Sequence, residues 1–246
     1  MTERTARDAV LGALADALAL AFPVDCAGCR VPGVALCDAC RGALVPRPTT
    51  RRLASGLEVW SGLPFEGPVA GALRALKEEG RTSLARALAP ALASALAAAA
   101  EAAVVQGAAA QASAVQTSAV HGADAHPGLL VVPVPASRKA IRRRGYRVVD
   151  LLVRRAGVVP ARLLVPARRT VDQRGLGASA RRSNVEGSLR ARACAGLEIV
   201  VVDDVVTTGA TLEEAARALT AEGARVLAAA TVAATPRRFG TSETHR

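Results

Sequence analysis

The sequence predicts an α/β fold: a parallel sheet with flanking helices, preceded by a small N-terminal cysteine module. Two observations carry the sheet. From about Leu129 onward apolar strand-like runs alternate with helical patterns, and the run Glu198-Ile-Val-Val-Val202 is an uninterrupted β-branched strand pattern. The module is read from two Cys-x-x-Cys pairs close together near the start.

A chain of 246 residues with 51% hydrophobic content can build a substantial core without disulfides. Aromatics are only 2%, so Val, Leu and Ala must fill it. The net charge of +11 is almost all arginine, Lys77 and Lys139 being the two lysines, and GC-biased coding alone could produce such a composition. Position is more informative. Sixteen of the 32 basic residues lie between Arg138 and Arg192, against Asp150, Asp172 and Glu186, so this stretch should attract polyanions, whether phosphates or nucleic acid.

Taken in order, residues 1–50 hold a short amphipathic helix and the cysteine module. The apolar run 9–22 superficially resembles a signal peptide, but Asp16 interrupts it. Cys26-x-x-Cys29 and Cys37-x-x-Cys40 stand seven residues apart, a spacing that brings four thiolates around one tetrahedral Zn²⁺. Four protein ligands leave no open position, so this zinc would be structural. A disulfide framework and a thioredoxin-like redox pair are the rivals; the paired knuckles and an expected intracellular location argue against the first, and the second would need one Cys-x-x-Cys opening a helix after a strand.

Residues 51–106 form the first part of the main domain and end in an Ala-rich helix. Its run from Leu88 to Val105 approaches membrane-span length, yet Pro90, Glu101 and its alanines argue against insertion. No membrane span is expected, and the location expected is cytoplasmic. Residues 107–128, rich in Ala, Gln, Ser and Gly, read as a low-complexity insertion whose His121 and His126 are not assigned to a metal. Residues 129–236 carry the α/β core and 237–246 a disordered tail.

In such sheets ligands bind beyond the carboxyl ends of strands, where a loop meets a helix N-terminus. The run beginning at Glu198 delivers Asp203 and Asp204 there, followed by Thr207-Thr-Gly-Ala-Thr211. Small residues around Gly209 and Ala210 let backbone N–H groups approach a phosphate, Thr207, Thr208 and Thr211 offer hydroxyls, and Thr211 with Glu214 forms a capping-box pattern. Paired carboxylates beside a phosphate site suit ribose hydroxyls or a bridging Mg²⁺. Together these features describe a sugar phosphate ligand.

These residues closely resemble the signature by which type I phosphoribosyltransferases hold 5-phosphoribosyl-1-pyrophosphate (PRPP). Val132-Pro-Val-Pro135, Arg144-Gly-Tyr146, Arg169-Thr170, Gln173, Leu176, Arg181 and Asn184-Val185 then follow the order of ComF proteins, as do the cysteines and the segment 67–81. The chain is similar to that family. It departs from it at Arg147-Val148, where ComF proteins usually have Asn-Gln.

The resemblance implies that Asp203 and Asp204 hold the ribose hydroxyls, with Asp204 the expected catalytic member, and that Thr207–Thr211 hold the 5-phosphate. It implies a loop near the pyrophosphate bearing Arg138, Lys139 and Arg144, and a hood from 170 to 184 bearing Gln173 and Arg181. Lys77 matches a family Leu-Lys segment, and a ligand role and a solvated helix-end lysine stand equal at this point. The expected activity is transfer of a phosphoribosyl group from Mg²⁺-PRPP to a nitrogen nucleophile such as a nucleobase. The alternative is a non-catalytic accessory to single-stranded DNA uptake, with DNA or DNA-uptake proteins as partners. Cys194 is expected to be incidental, and the GxGxxA match at Gly175–Ala180 is rejected as a dinucleotide site because no strand precedes it.

Overall fold

A computed structural model describes residues 24–111, 129–167 and 186–236. The N-terminal apolar run, most of the low-complexity insertion, the hood with Gln173 and Arg181, the GxGxxA stretch and the C-terminal tail lie outside the described residues.

Five strands form the main sheet: β1 (Thr49–Arg52), β2 (Glu58–Pro64), β3 (Leu129–Pro133), β6 (Glu198–Val206) and β7 (Arg225–Ala234), in the order β1-β2-β7-β6-β3. All neighbours run parallel except β1, which pairs antiparallel with β2 along the edge. The expected parallel sheet is therefore present, with one antiparallel edge strand added. Two short strands, β4 (Leu164–Pro166) and β5 (Leu189–Ala191), form a separate antiparallel pair.

The two-residue period of β6 explains how the layers form. Val200 and Val202 face one apolar cluster, Ile199 and Val201 the other, and all four are essentially inaccessible. On the first face lie α2 (Gly67–Glu78), α3 (Leu84–Gln111) and α5 (Val148–Arg155), burying Leu73, Leu76, Leu88, Leu92 and Leu152. On the second lies α6 (Ala210–Ala221), with Leu212 and Leu219 packed beside Leu164 and Leu189 of the small sheet. Each fully buried leucine contributes about 1.5–3 kcal/mol.

The Ala-rich helix α3 runs to Gln111, past the boundary expected near residue 106, because alanines maintain helical propensity into the insertion. Its segment Leu84–Val104 has the length and hydropathy of a membrane span, but Leu88, Ala91, Leu92 and Ala95 are buried in the core cluster of the first sheet face. The cysteine module, with its short helix α1 (Asp38–Gly42), shares that core: Cys26, Ala27, Leu36, Cys40 and Leu44 belong to the same cluster as Leu63 and Leu73.

Candidate functional site

The acids arrive as expected. Asp203 and Asp204 sit on β6, half-buried, immediately before the loop to α6. Asp203 is paired in register with Thr231 on β7. Burial, reinforced by the charge of Asp204, pushes the Asp203 carboxyl from its ordinary 3.8 up to about 8; the Asp204 N–H and the Lys77 charge offset part of this rise. Lys77, left open by the sequence, donates to Asp204 Oδ1 at 2.7 Å from the last turn of α2. That contact makes it a member of the site.

The loop itself turns on Gly209, whose φ of +91° is left-handed and which serves as N-cap of α6. Thr207, Thr208 and Thr211 are exposed, and Ala210 opens the helix. The expected capping box between Thr211 and Glu214 does not form, because the helix is capped at Gly209 and Thr211 therefore lies inside its first turn, while Glu214 is engaged elsewhere. It is buried beneath the small sheet, accepting from the Leu189 N–H at 3.0 Å and from Arg217 at 2.6 Å. Burial alone would raise the Glu214 carboxyl, but these hydrogen bonds hold it below its ordinary value.

A cavity of about 270 Å³ opens beside the acids. Lys77, Arg144, Arg147, Asp150, Asp203 and Asp204 supply its charges, and the backbone from Val134 to Ser137 its far wall. The helix α4 (Arg138–Arg144) is capped by the Ser137 hydroxyl and ends at Gly145 with φ of +79°. This turn explains the Arg-Gly-Tyr motif. Arg144 enters the cavity, where its Nε is buried without a hydrogen-bond partner among the described residues. Tyr146 instead donates its hydroxyl to the Leu76 carbonyl, fixing α2 next to Lys77. Arg138 and Lys139 stand exposed on the first turn of α4 and do not line the cavity.

A buried cation donor without an acceptor, facing a carboxylate pair, describes a cavity suited to an anionic ligand with polar substituents. At the departure from the family pattern, Arg147 adds a further cation to the lining and Val148 packs into the core.

Sequence reasoning missed Arg51 and Leu53. Arg51 donates to the carbonyls of Thr207 (3.1 Å), Val206 (3.5 Å) and Thr235 (3.0 Å), tying the loop that leads into α6 to the end of β7. Leu53 packs so closely that a Cβ on Gly209 would lie 2.5 Å from its Cδ2. Asp150 was also overlooked; it is held by Arg162 at 2.7 Å. No motif marks these residues, since their partners are distant in sequence. A larger groove of about 680 Å³ between the β1–β2 hairpin and α6 contains Arg52, paired with Glu58, and Arg217, paired with Glu214, but neither acid of the β6 pair.

The four module cysteines converge, their sulfurs all within 4.8 Å of one another. Cys26 and Cys37 sulfurs are 3.7 Å apart, and Cys29 and Cys37 are 3.6 Å apart. Disulfides need about 2.05 Å, whereas Zn–S bonds of about 2.3 Å place tetrahedral edges near 3.8 Å. The cluster thus fits a structural zinc. Burial would raise the Cys26 thiol, but N–H groups of Cys29, Cys37 and Gly28 bring it down to about 6, whereas burial and the neighbouring thiols push the Cys40 thiol up. Cys194 is buried beside α6 and its thiol is pushed up by that burial, so it is a packing residue.

Comparison with known proteins agrees with this geometry. Residues 140–245 match the family described as phosphoribosyl transferase domain. The DNA utilization protein YhgH of Salmonella typhi and that of Salmonella typhimurium are each 34% identical over 100 residues, covering 38% of this chain and 44% of the relative. The match thus spans less than half the length of those curated relatives. With four clustered thiols set ahead of a phosphoribosyl transferase-type domain that is similar to DNA utilization proteins, the chain resembles the ComF-type proteins its motifs pointed to.

Proposed function

We propose that the chain binds Mg²⁺-PRPP and transfers its phosphoribosyl group to a nitrogen nucleophile. The observation that carries the reading is the gathering of Asp203 and Asp204 with Lys77, Arg144 and Arg147 around one cavity; the Thr207–Thr211 loop does not line that cavity but follows the acids along the chain and leads into the α6 N-terminus at Gly209. The α6 N–H groups and the Thr207, Thr208 and Thr211 hydroxyls suit the 5-phosphate. Asp203 and Asp204 suit the ribose hydroxyls, and as adjacent oxygen donors they also fit Mg²⁺, which when bound would neutralise pyrophosphate charge.

In the transfer, the nitrogen lone pair forms the bond to the anomeric carbon while the carbon–oxygen pair departs with pyrophosphate. Arg144 and Arg147 stabilise the charge that develops on the leaving group. Asp204, once released from Lys77, is the group placed to accept the proton lost by nitrogen. Four reduced thiols as metal ligands suit a reducing compartment, in keeping with a cytoplasmic protein.

Calorimetric titration of Mg²⁺-PRPP into wild type and Asp203→Asn/Asp204→Asn tests this. Saturable binding lost in the variant, with pyrophosphate release on adding one member of a nucleobase panel, is expected. Absence of wild-type binding refutes the proposal.

One observation favours a second reading, accessory binding of single-stranded DNA. Arg138, Lys139, Arg142 and Arg143 are exposed on α4 and form no ion pair among the described residues, and the relatives are named for DNA utilization. Such binding would fall steeply with salt and survive loss of the acids.

A further inference from the structure

We propose that the cysteine module, together with the Tyr146 hydroxyl on Leu76, positions Lys77, so that metal in the module controls the occupancy of the Lys77–Asp204 contact. The module does not line the cavity, but it grips the helix that enters it. A Cβ on Gly71 in α2 would lie 2.4 Å from the Ala27 carbonyl oxygen, so helix backbone rests directly on the first Cys-x-x-Cys turn. Just beyond the helix, Arg81 donates to the carbonyls of Asp25 at 2.9 Å and Ala35 at 2.7 Å, which precede the two cysteine pairs. Arg30, between the pairs, bonds Glu79 at 2.9 Å. Lys77 therefore leaves α2 between Gly71 and Arg81, the points where the module holds it.

Arg81 can bridge Asp25 and Ala35 only while both cysteine turns stay together. Four crowded thiolates repel one another unless a cation lies between them. Metal loss separates the turns, parts the two carbonyls and frees the last turn of α2. Lys77 then leaves Asp204, 127 residues away in sequence and 2.7 Å away in space.

The chain contains two lysines, which makes the contact measurable without any ligand. Amine-reactive labelling followed by peptide mass spectrometry compares Lys77 with exposed Lys139 as internal standard. In zinc-loaded protein Lys77 reacts slowly. Chelation, or Arg81→Met with zinc retained, raises its relative rate roughly tenfold, the size of one lost hydrogen bond between charged groups. Unchanged Lys77 labelling after zinc has left, or in Arg81→Met, overturns the proposal. Should chelation abolish the far-UV signal of the fold, Arg81→Met decides alone.

A second arm rests on the PRPP reading. Arg81→Met should weaken Mg²⁺-PRPP binding roughly tenfold in wild type and have no effect in a Lys77→Met background, whereas full additivity refutes coupling through Lys77. If wild type does not bind Mg²⁺-PRPP, the functional reading fails and the labelling arm still decides this one.

Discussion

Gly209→Ala tests whether the Thr207–Thr211 loop is held in its shape by Leu53. Two costs follow from the geometry. A residue with a Cβ at φ of +91° loses about 1–2 kcal/mol relative to glycine. The added Cβ also lies 2.5 and 2.6 Å from the Leu53 methyl carbons, and Leu53 is buried, so it must shift within a packed cluster at a cost of about 1–3 kcal/mol. The sum, about 2–5 kcal/mol, should appear in urea unfolding as a lower midpoint at unchanged slope. Mg²⁺-PRPP affinity should fall as well, because the N–H groups after residue 209 are displaced. Leu53→Ala removes the obstructing methyls, so Gly209→Ala in that background should retain only the conformational part. The double-mutant cycle should return a coupling of about 1–3 kcal/mol. Zero coupling would refute the steric argument, and an unchanged midpoint in the single variant would refute both parts.

Other expectations concern the charges and the module. Because the Asp203 carboxyl is raised to about 8, its contribution to stability is fully present below about pH 4 and is lost as pH rises toward 8; Asp203→Asn should flatten urea midpoints measured across that window. Glu214 is depressed by Arg217 and two N–H groups, so its contribution is present above its ordinary pKa and lost as pH falls below it. Glu214→Ala should cost less than the roughly 3–5 kcal/mol of a broken buried pair, since Arg217 remains half exposed to water, as a thermal melt would check. Arg144→Met should leave the melting temperature unchanged while weakening binding of inorganic pyrophosphate in calorimetry. Cys40→Ser should release one equivalent of zinc, measured by atomic absorption, and lower thermal stability.

The parts of the site legible in the sequence were those written in contiguous residues. A β-branched strand, two acids and a small-residue loop fall within Glu198–Thr211, and their order alone dictates strand, turn and helix start. The cysteine spacing was equally local. Lys77 could not be assigned, since its partner is 127 positions away, and Arg51 reaches Thr207 across 156. Such contacts leave no periodicity to read. Glu214 misled for a different reason: Thr-x-x-Glu satisfies the local rule for a capping box, but the helix starts earlier, at the Gly209 cap, and Glu214 turns to Leu189 and Arg217 instead. Among so many arginines, composition could not separate Arg144, whose Nε is buried, from Arg138, which faces solvent.

The strand order also dictates a sequence of events during biosynthesis. β2 finds its parallel partner in β7, with Val59 opposite Ala229, so the first half of the chain emerges from the ribosome long before the strand that completes its hydrophobic layer. The four cysteines, by contrast, fall within fifteen residues and can close around a metal as soon as they emerge. Metal capture would thus precede sheet closure, and a nascent chain halted before residue 225 is expected to hold zinc while still exposing Val59 and Leu63 of β2 and the leucines of α3.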